Sequence, residues 1–349
     1  MGKPLSVSVT QRLSTAASRL QTADPTRVIK PLLERTFALP EGDPRYASNS
    51  LTPGAAPLEP SFSELEPGVL RFTVEPLGPE AGPMDRRDEA TREMRRLVRQ
   101  FFGHDALHWF DETSEDWRDS GSGSRLHYGA FFGSSYDSDG LATSKVFYET
   151  RPDQVQSLPL PLFRVVTTAL RMMPNLVPLF TSIACRREHG SQRMTFLHRG
   201  VLRLAELAPL LGELGLAHHH SGILQTFGLA LGGRFDLPDR SVLIALEHGH
   251  EGPELELYVL LGMIPDLPRN FLDLLAMGLR ERPRELNAML RWLGAFTPES
   301  GDWPGNFSVL SVKASPYGAP RVSLYLRPVE FEIPRVVGEE MPEAEPALA

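Results

Sequence analysis

Three short segments place charged and phenolic side chains two residues apart: Lys145 with Phe147, Glu254 and Glu256 with Tyr258, and Arg321 with Ser323 and Tyr325. In an extended chain, side chains two apart share a face, so each segment carries a polar face of mixed charge and tyrosine. Lysine and arginine at such positions suit an anionic group such as a diphosphate, and tyrosine rings suit the shielding of a carbocation. Lys313 stands in a further apolar segment of the same kind. Taken singly, each of these charges equally fits a solvent-exposed strand end.

The elements that must position these residues follow from periodicity and breakers. Strands are expected at Val69 to Glu75, Arg125 to Gly133, Thr143 to Thr150, Arg193 to His198, Leu224 to Leu231, Ser241 to His248, Leu255 to Met263, Phe307 to Ala314 and Arg321 to Arg327. Helices are expected at Thr26 to Phe37, Arg86 to Phe102, Leu160 to Met173, Leu202 to Leu216 and Arg269 to Leu293. Strands in hairpin-like pairs between helices disfavour a parallel doubly wound sheet and suggest an α+β fold: a closed antiparallel barrel ringed by helices. Helices outside such a barrel demand an apolar outer face, which sends the polar face of each strand into a chamber. Lys145, Lys313, Arg321, Tyr258 and Tyr325 are the residues expected to line it. Residues 1–67, rich in Pro, Ser and Gly, are expected as an irregular or helical wrap, residues 68–334 as the barrel, and residues 335–349 as a disordered acidic tail.

Within that frame, SKVFYETRP (Ser144 to Pro152), LELYVLLGMIPD (Leu255 to Asp266), APRVSLYLRP (Ala319 to Pro328) and PSFSELEPGVLRFTVE (Pro60 to Glu75) resemble strand segments of the ABBA-barrel aromatic prenyltransferases. The resemblance is to their bacterial indole branch, related to dimethylallyltryptophan synthase. It implies an ABBA-type barrel and transfer of a prenyl group, usually dimethylallyl, from its diphosphate to an aromatic carbon, often of an indole, in secondary metabolism. It also implies a prenyl diphosphate and an aromatic small molecule or peptide as partners, no cofactor, and no requirement for magnesium. The family's diphosphate position falls on Lys145, and its cation-shielding tyrosines fall on Tyr258 and Tyr325. Phe147 stands where a tyrosine is expected, with Tyr148 beside it as a substitute.

Departures from the family are as informative. Where a first-strand glutamate accepts the indole proton, the alignment places Arg71, with Glu75 displaced along the strand; an expected middle-strand pair of cations is not evident. Glu254 and Glu256 would oppose a diphosphate if they face inward. Arg234 could supply some missing charge, although its turn GGRFDLPDR argues otherwise. Two alternatives therefore stay open: the same barrel adapted to cyclise a natural-product intermediate without diphosphate, or a non-catalytic binder of a hydrophobic metabolite.

Other classes are disfavoured. The 36 Lys+Arg against 44 Asp+Glu give a net charge of −8, which repels nucleic acid. The N-terminal segment has no apolar signal-peptide centre and no stretch reads as a membrane span, so a cytoplasmic enzyme is expected. Cys185 cannot form an internal disulfide. His218, His219 and His220 do not have metal-ligand spacing, and no Gly-x-Ser-x-Gly nucleophile elbow, P-loop or dinucleotide fingerprint occurs. Tryptophans 109, 117, 292 and 303 read as packing residues.

Overall fold

The computed structural model describes residues 2–118 and 126–333. Helices α1 (Leu5–Leu20) and α2 (Lys30–Thr36) precede strands β1 (Leu58–Ser63) and β2 (Leu70–Val74). Helices α3 (Pro83–Phe101) and α4 (His104–Arg118) lead to the hairpin β3 (Ala130–Asp137) and β4 (Gly140–Glu149). Helix α5 (Leu160–Met172) precedes β5 (Leu176–Arg186) and β6 (Gly190–His198). A small pair, β7 (Leu202–Arg203) and β8 (Asp236–Leu237), brackets helices α6 (Leu207–Glu213) and α7 (His220–Ala230). The hairpin β9 (Val242–Gly249) and β10 (Gly252–Leu260), helices α8 (Phe271–Gly278) and α9 (Pro283–Phe296), and the hairpin β11 (Gly305–Ala314) and β12 (Arg321–Pro328) complete the chain.

Ten strands close into an antiparallel barrel in the order β1-β12-β11-β10-β9-β6-β5-β4-β3-β2. The seam joins the first strand to the last, with Ser61 opposite Tyr325 and Ser63 opposite Ser323. Every tight hairpin turn falls at one end of the barrel, and every connection through a helix leaves from the other; these are called here the hairpin end and the crossover end. The turn between β3 and β4 has two residues: Asp137 Oδ1 accepts from the Asp139 N–H at 2.8 Å, and Gly140 takes φ +117°, a conformation costly for any residue with a Cβ.

Alternation along each strand builds two environments. Val146 and Tyr148 of β4, Ile183 and Cys185 of β5, Leu255, Leu257 and Val259 of β10, and Leu324 and Leu326 of β12 point outward into the apolar layer beneath the helices. The residues between them face the lumen.

Several elements differ from expectation. The barrel begins inside the expected wrap, because β1 carries the seam from Leu58 despite Pro60. Proline is tolerated there because the pairing to β12 begins only at Ser61. Leu224 to Leu231 is helical, since Ile223, Phe227 and Ala230 recur at helical spacing and all are buried. The expected helix from Arg269 is two helices, parted before Pro283, which starts α9 at its first position. The expected acidic tail and the start of the Arg125 strand lie outside the described residues.

Candidate active site

The lumen holds a cavity of about 1150 Å³. Its two ends differ in chemistry. Toward the hairpin end the wall carries Arg71, Arg186, Arg193 and Lys313 together with Glu66, Glu188, Glu247, Glu254 and Glu256, and Lys145 sits midway along β4. Toward the crossover end the wall is apolar, formed by Leu51, Phe131, Phe147, Phe180, Leu243 and Val309, with Glu59 the one ionisable side chain among the described lining residues there.

At the hairpin end most cations are already paired. Arg193 is the hub: its guanidinium lies 2.9 Å from Glu247, binds Glu256, and donates to the Tyr258 hydroxyl at 2.8 Å. Burial alone would raise both carboxyls, but Arg193 and Lys313 outweigh it, holding Glu247 down at about 2 and Glu256 below the usual carboxylate range. Lys313 lies 2.6 Å from Glu254, and Arg71 is paired with Glu66. Lys145 and Arg186 have no carboxylate within salt-bridge distance among the described residues. Arg186 donates to Ser191 at 3.1 Å, and Lys145 Nζ lies 4.6 Å from the Phe147 ring centroid. Enclosure by the barrel, reinforced by the charge of Arg193, lowers the Lys145 ammonium to about 7.

In the middle of the cavity the Tyr258 and Tyr325 rings face each other at 6.1 Å, tilted by 55°. Burial pushes both phenols far above their usual range, so they stay neutral. Trp109 of α4 reaches the hairpin end across Gly190, where any Cβ would lie 2.2 Å from the indole.

Glu59 is the functional candidate that sequence reasoning missed. It is buried, and its Oε1 accepts from the Ser308 hydroxyl at 2.6 Å. Burial pushes its carboxyl up to about 7, against the opposing pull of that hydroxyl and of Arg327. A bulge in β11 between Phe307 and Val309 supplies Ser308. The available signal was the alternation in LEPSFS, which places Glu59, Ser61 and Ser63 on one face; Pro60 and the surrounding breakers concealed it.

Of the residues expected at the site, Lys145, Lys313, Tyr258, Tyr325 and Arg71 line the cavity, and so do Glu254 and Glu256. Glu75 does not. Its Oε2 accepts from the Ser50 and Leu51 N–H groups at 2.7 and 3.0 Å, and its Oε1 lies 3.1 Å from Arg86, so it is a buried fastener beyond the end of β2. Tyr148 points outward beneath α3 and shares a 2.8 Å hydrogen bond with Thr91. Its place beside Phe147 in sequence puts it on the opposite face of the strand. Arg321 stands outside the cavity lining, 3.7 Å from Glu285 of α9. Arg234 is half-buried and donates to the Pro265 carbonyl at 3.0 Å, away from the cavity lining. Arg186 of β5 and Arg193 of β6 also line the cavity, where no middle-strand cation was expected from the sequence. His219 bonds the Ser315 carbonyl at 2.6 Å, and among the described residues no three His, Cys, Asp or Glu side chains gather to hold a metal. No helix among them is long and apolar enough to cross a membrane.

No family model and no curated protein matches the chain. Solved structures do. The 6-dimethylallyltryptophan synthase of Micromonospora olivasterospora, in complex with DMASPP and Trp, superposes with a TM-score of 0.74 at 15% identity, over 95% of this chain and 99% of that one. The 5-dimethylallyl tryptophan synthase of Streptomyces coelicolor, in complex with DMASPP and Trp, gives 0.65 at 18% identity over 98% and 100%. AnaPT of Neosartorya fischeri gives 0.62 at 14% identity over 84% and 83%. At these identities the likeness is one of fold, and the fold is the helix-ringed ABBA-type barrel.

Proposed function

We propose that the protein is a cytoplasmic prenyltransferase of secondary metabolism that moves a dimethylallyl group from its diphosphate to an aromatic carbon of an indole acceptor. The observation that carries this reading is the polarity of the chamber: two cations without carboxylate partners at one side of a neutral tyrosine pair, and a buried carboxyl in an apolar end at the other. The fold it shares with dimethylallyltryptophan synthases, two of them holding DMASPP and Trp, supports it.

Lys145 and Arg186 take the diphosphate, which leaves as the bond from its oxygen to the allylic carbon breaks. Tyr258 and Tyr325 exclude water and turn their electron-rich faces to the allylic cation. The ring carbon attacks, a carbon–carbon bond forms, and the displaced ring proton passes to Glu59, which takes the role expected of Glu75. A carboxyl near 7 is suited to this, being part ionised at neutral pH. Neither a metal nor a cofactor enters the scheme. Arg193 and Lys313 reach the diphosphate only by exchanging Glu247, Glu256 and Glu254 for it. That pairing is also the observation favouring the second reading, a barrel that handles a substrate without diphosphate.

Calorimetric titration with dimethylallyl thiolodiphosphate, an unreactive donor mimic, with and without magnesium, separates the two. Saturable binding, weakened about thirtyfold or more in Lys145→Ala with little change in melting temperature, is expected from loss of a charged partner to the diphosphate. Absence of binding by folded protein moves the assignment to the second reading. Equal losses of binding and stability in the variant would make Lys145 structural.

A further inference from the structure

We propose, building on the transferase reading, that the acceptor is an indole whose side chain carries no carboxylate, such as an indole amide or an indole embedded in a peptide. Once the donor's diphosphate occupies the hairpin end beside Lys145 and Arg186, the acceptor is left with the crossover end. That end offers Leu51, Phe131, Leu243 and Val309 as walls and Glu59 as its charge-bearing group among the described lining residues. An acceptor carboxylate there would lose its water, meet no lining cation, and stand in the same enclosure as Glu59. A buried charge without a partner is strongly disfavoured, so the acceptor's side chain must be uncharged at the acid position.

Arg327, near the crossover end of β12, acts on Glu59 from outside the lining, and it and Arg151, just past the same end of β4, are already engaged. Arg327 donates to the Pro53 carbonyl at 2.9 Å and lies 3.6 Å from Glu332, and Arg151 lies 3.2 Å from Asp153. Free tryptophan is therefore a poor acceptor here.

The test is a matched pair, N-acetyl-L-tryptophan and its amide, which differ only in carboxylate against carboxamide. Dissociation constants are measured on the full chain, both alone and saturated with dimethylallyl thiolodiphosphate, and prenylation of each is followed with dimethylallyl diphosphate. The amide is expected to bind at least tenfold tighter and to be the better acceptor. Equal binding, tighter binding of the carboxylate, or failure of both to bind overturns the proposal. Failure of the donor mimic to bind counts instead against the transferase reading, and the pair measured without the mimic still decides the carboxylate question.

Discussion

Ser308 Oγ donates to Glu59 Oε1 at 2.6 Å, reaching from the bulge in β11 to the first strand of the barrel. One carboxylate oxygen is thus occupied, and Oε2 has no protein partner among the described residues. The bond favours the charged form of Glu59, so Ser308→Ala should raise its pKa above about 7. A hydrogen bond to a charged group is worth about 1.5 kcal/mol or more, roughly one pH unit. The acid limb of the kcat/KM profile is expected to move up by about that much, with Ser308→Thr restoring it. An unmoved limb would separate Ser308, or Glu59, from proton transfer.

Glu59 makes a second prediction through stability. Its carboxyl titrates near 7 in the folded protein and near 4.5 when unfolded. Between those values the folded state holds the extra proton, so stability falls as pH rises through that window and stays reduced above it. Glu59→Gln removes the titration. The variant is expected to be more stable than the parent at pH 8 by about 3 kcal/mol, with the difference gone by pH 4, while prenylation is lost. Denaturant melts at the two pH values check this; parallel curves would mean an ordinary carboxyl.

Arg193 holds two buried carboxylates at once. Arg193→Met should destabilise the barrel by about 3–5 kcal/mol, because Glu247 and Glu256 are left charged and unpaired. Adding Glu247→Gln and Glu256→Gln should return most of the loss. If the triple variant melts no higher than the single one, the cost lies in packing of the arginine stem.

The Tyr325 ring, facing Tyr258 at 6.1 Å, separates the two ends of the chamber. Tyr325→Phe should keep most of the activity, since the ring face is retained. Tyr325→Ala should divert the donor to the hydrolysed alcohol, measurable by chromatography of the products. Unchanged turnover in the alanine variant would remove the ring from the path of the cation.

The barrel and much of its lining were legible because the period-2 pattern is strong in β4, β10 and β12, where Lys145, Tyr258 and Tyr325 alternate with buried aliphatic residues. The pattern failed where proline interrupts it. Pro60 hid β1 and with it Glu59, and Pro178, at a register shift, hid β5, whose last residue is Arg186. Tyr148 failed for the opposite reason: adjacency in sequence means opposite faces in a strand. The pairing of Arg193 with Glu247 and Glu256 was invisible because its partners come from strands more than fifty residues away, brought level by register alone.

The seam between β1 and β12 sets when the protein can begin to work. Ser61 and Tyr325 are neighbours across it, so the wall that carries both Glu59 and Tyr325 stays open until the last strand has left the ribosome. Contacts of such long sequence separation form late and slowly. During synthesis the first nine barrel strands present two unpaired edges, and their cover is the chain's own final strand. A ribosome stalled before Arg321 would carry a barrel open along one side and exposed to aggregation along both edges.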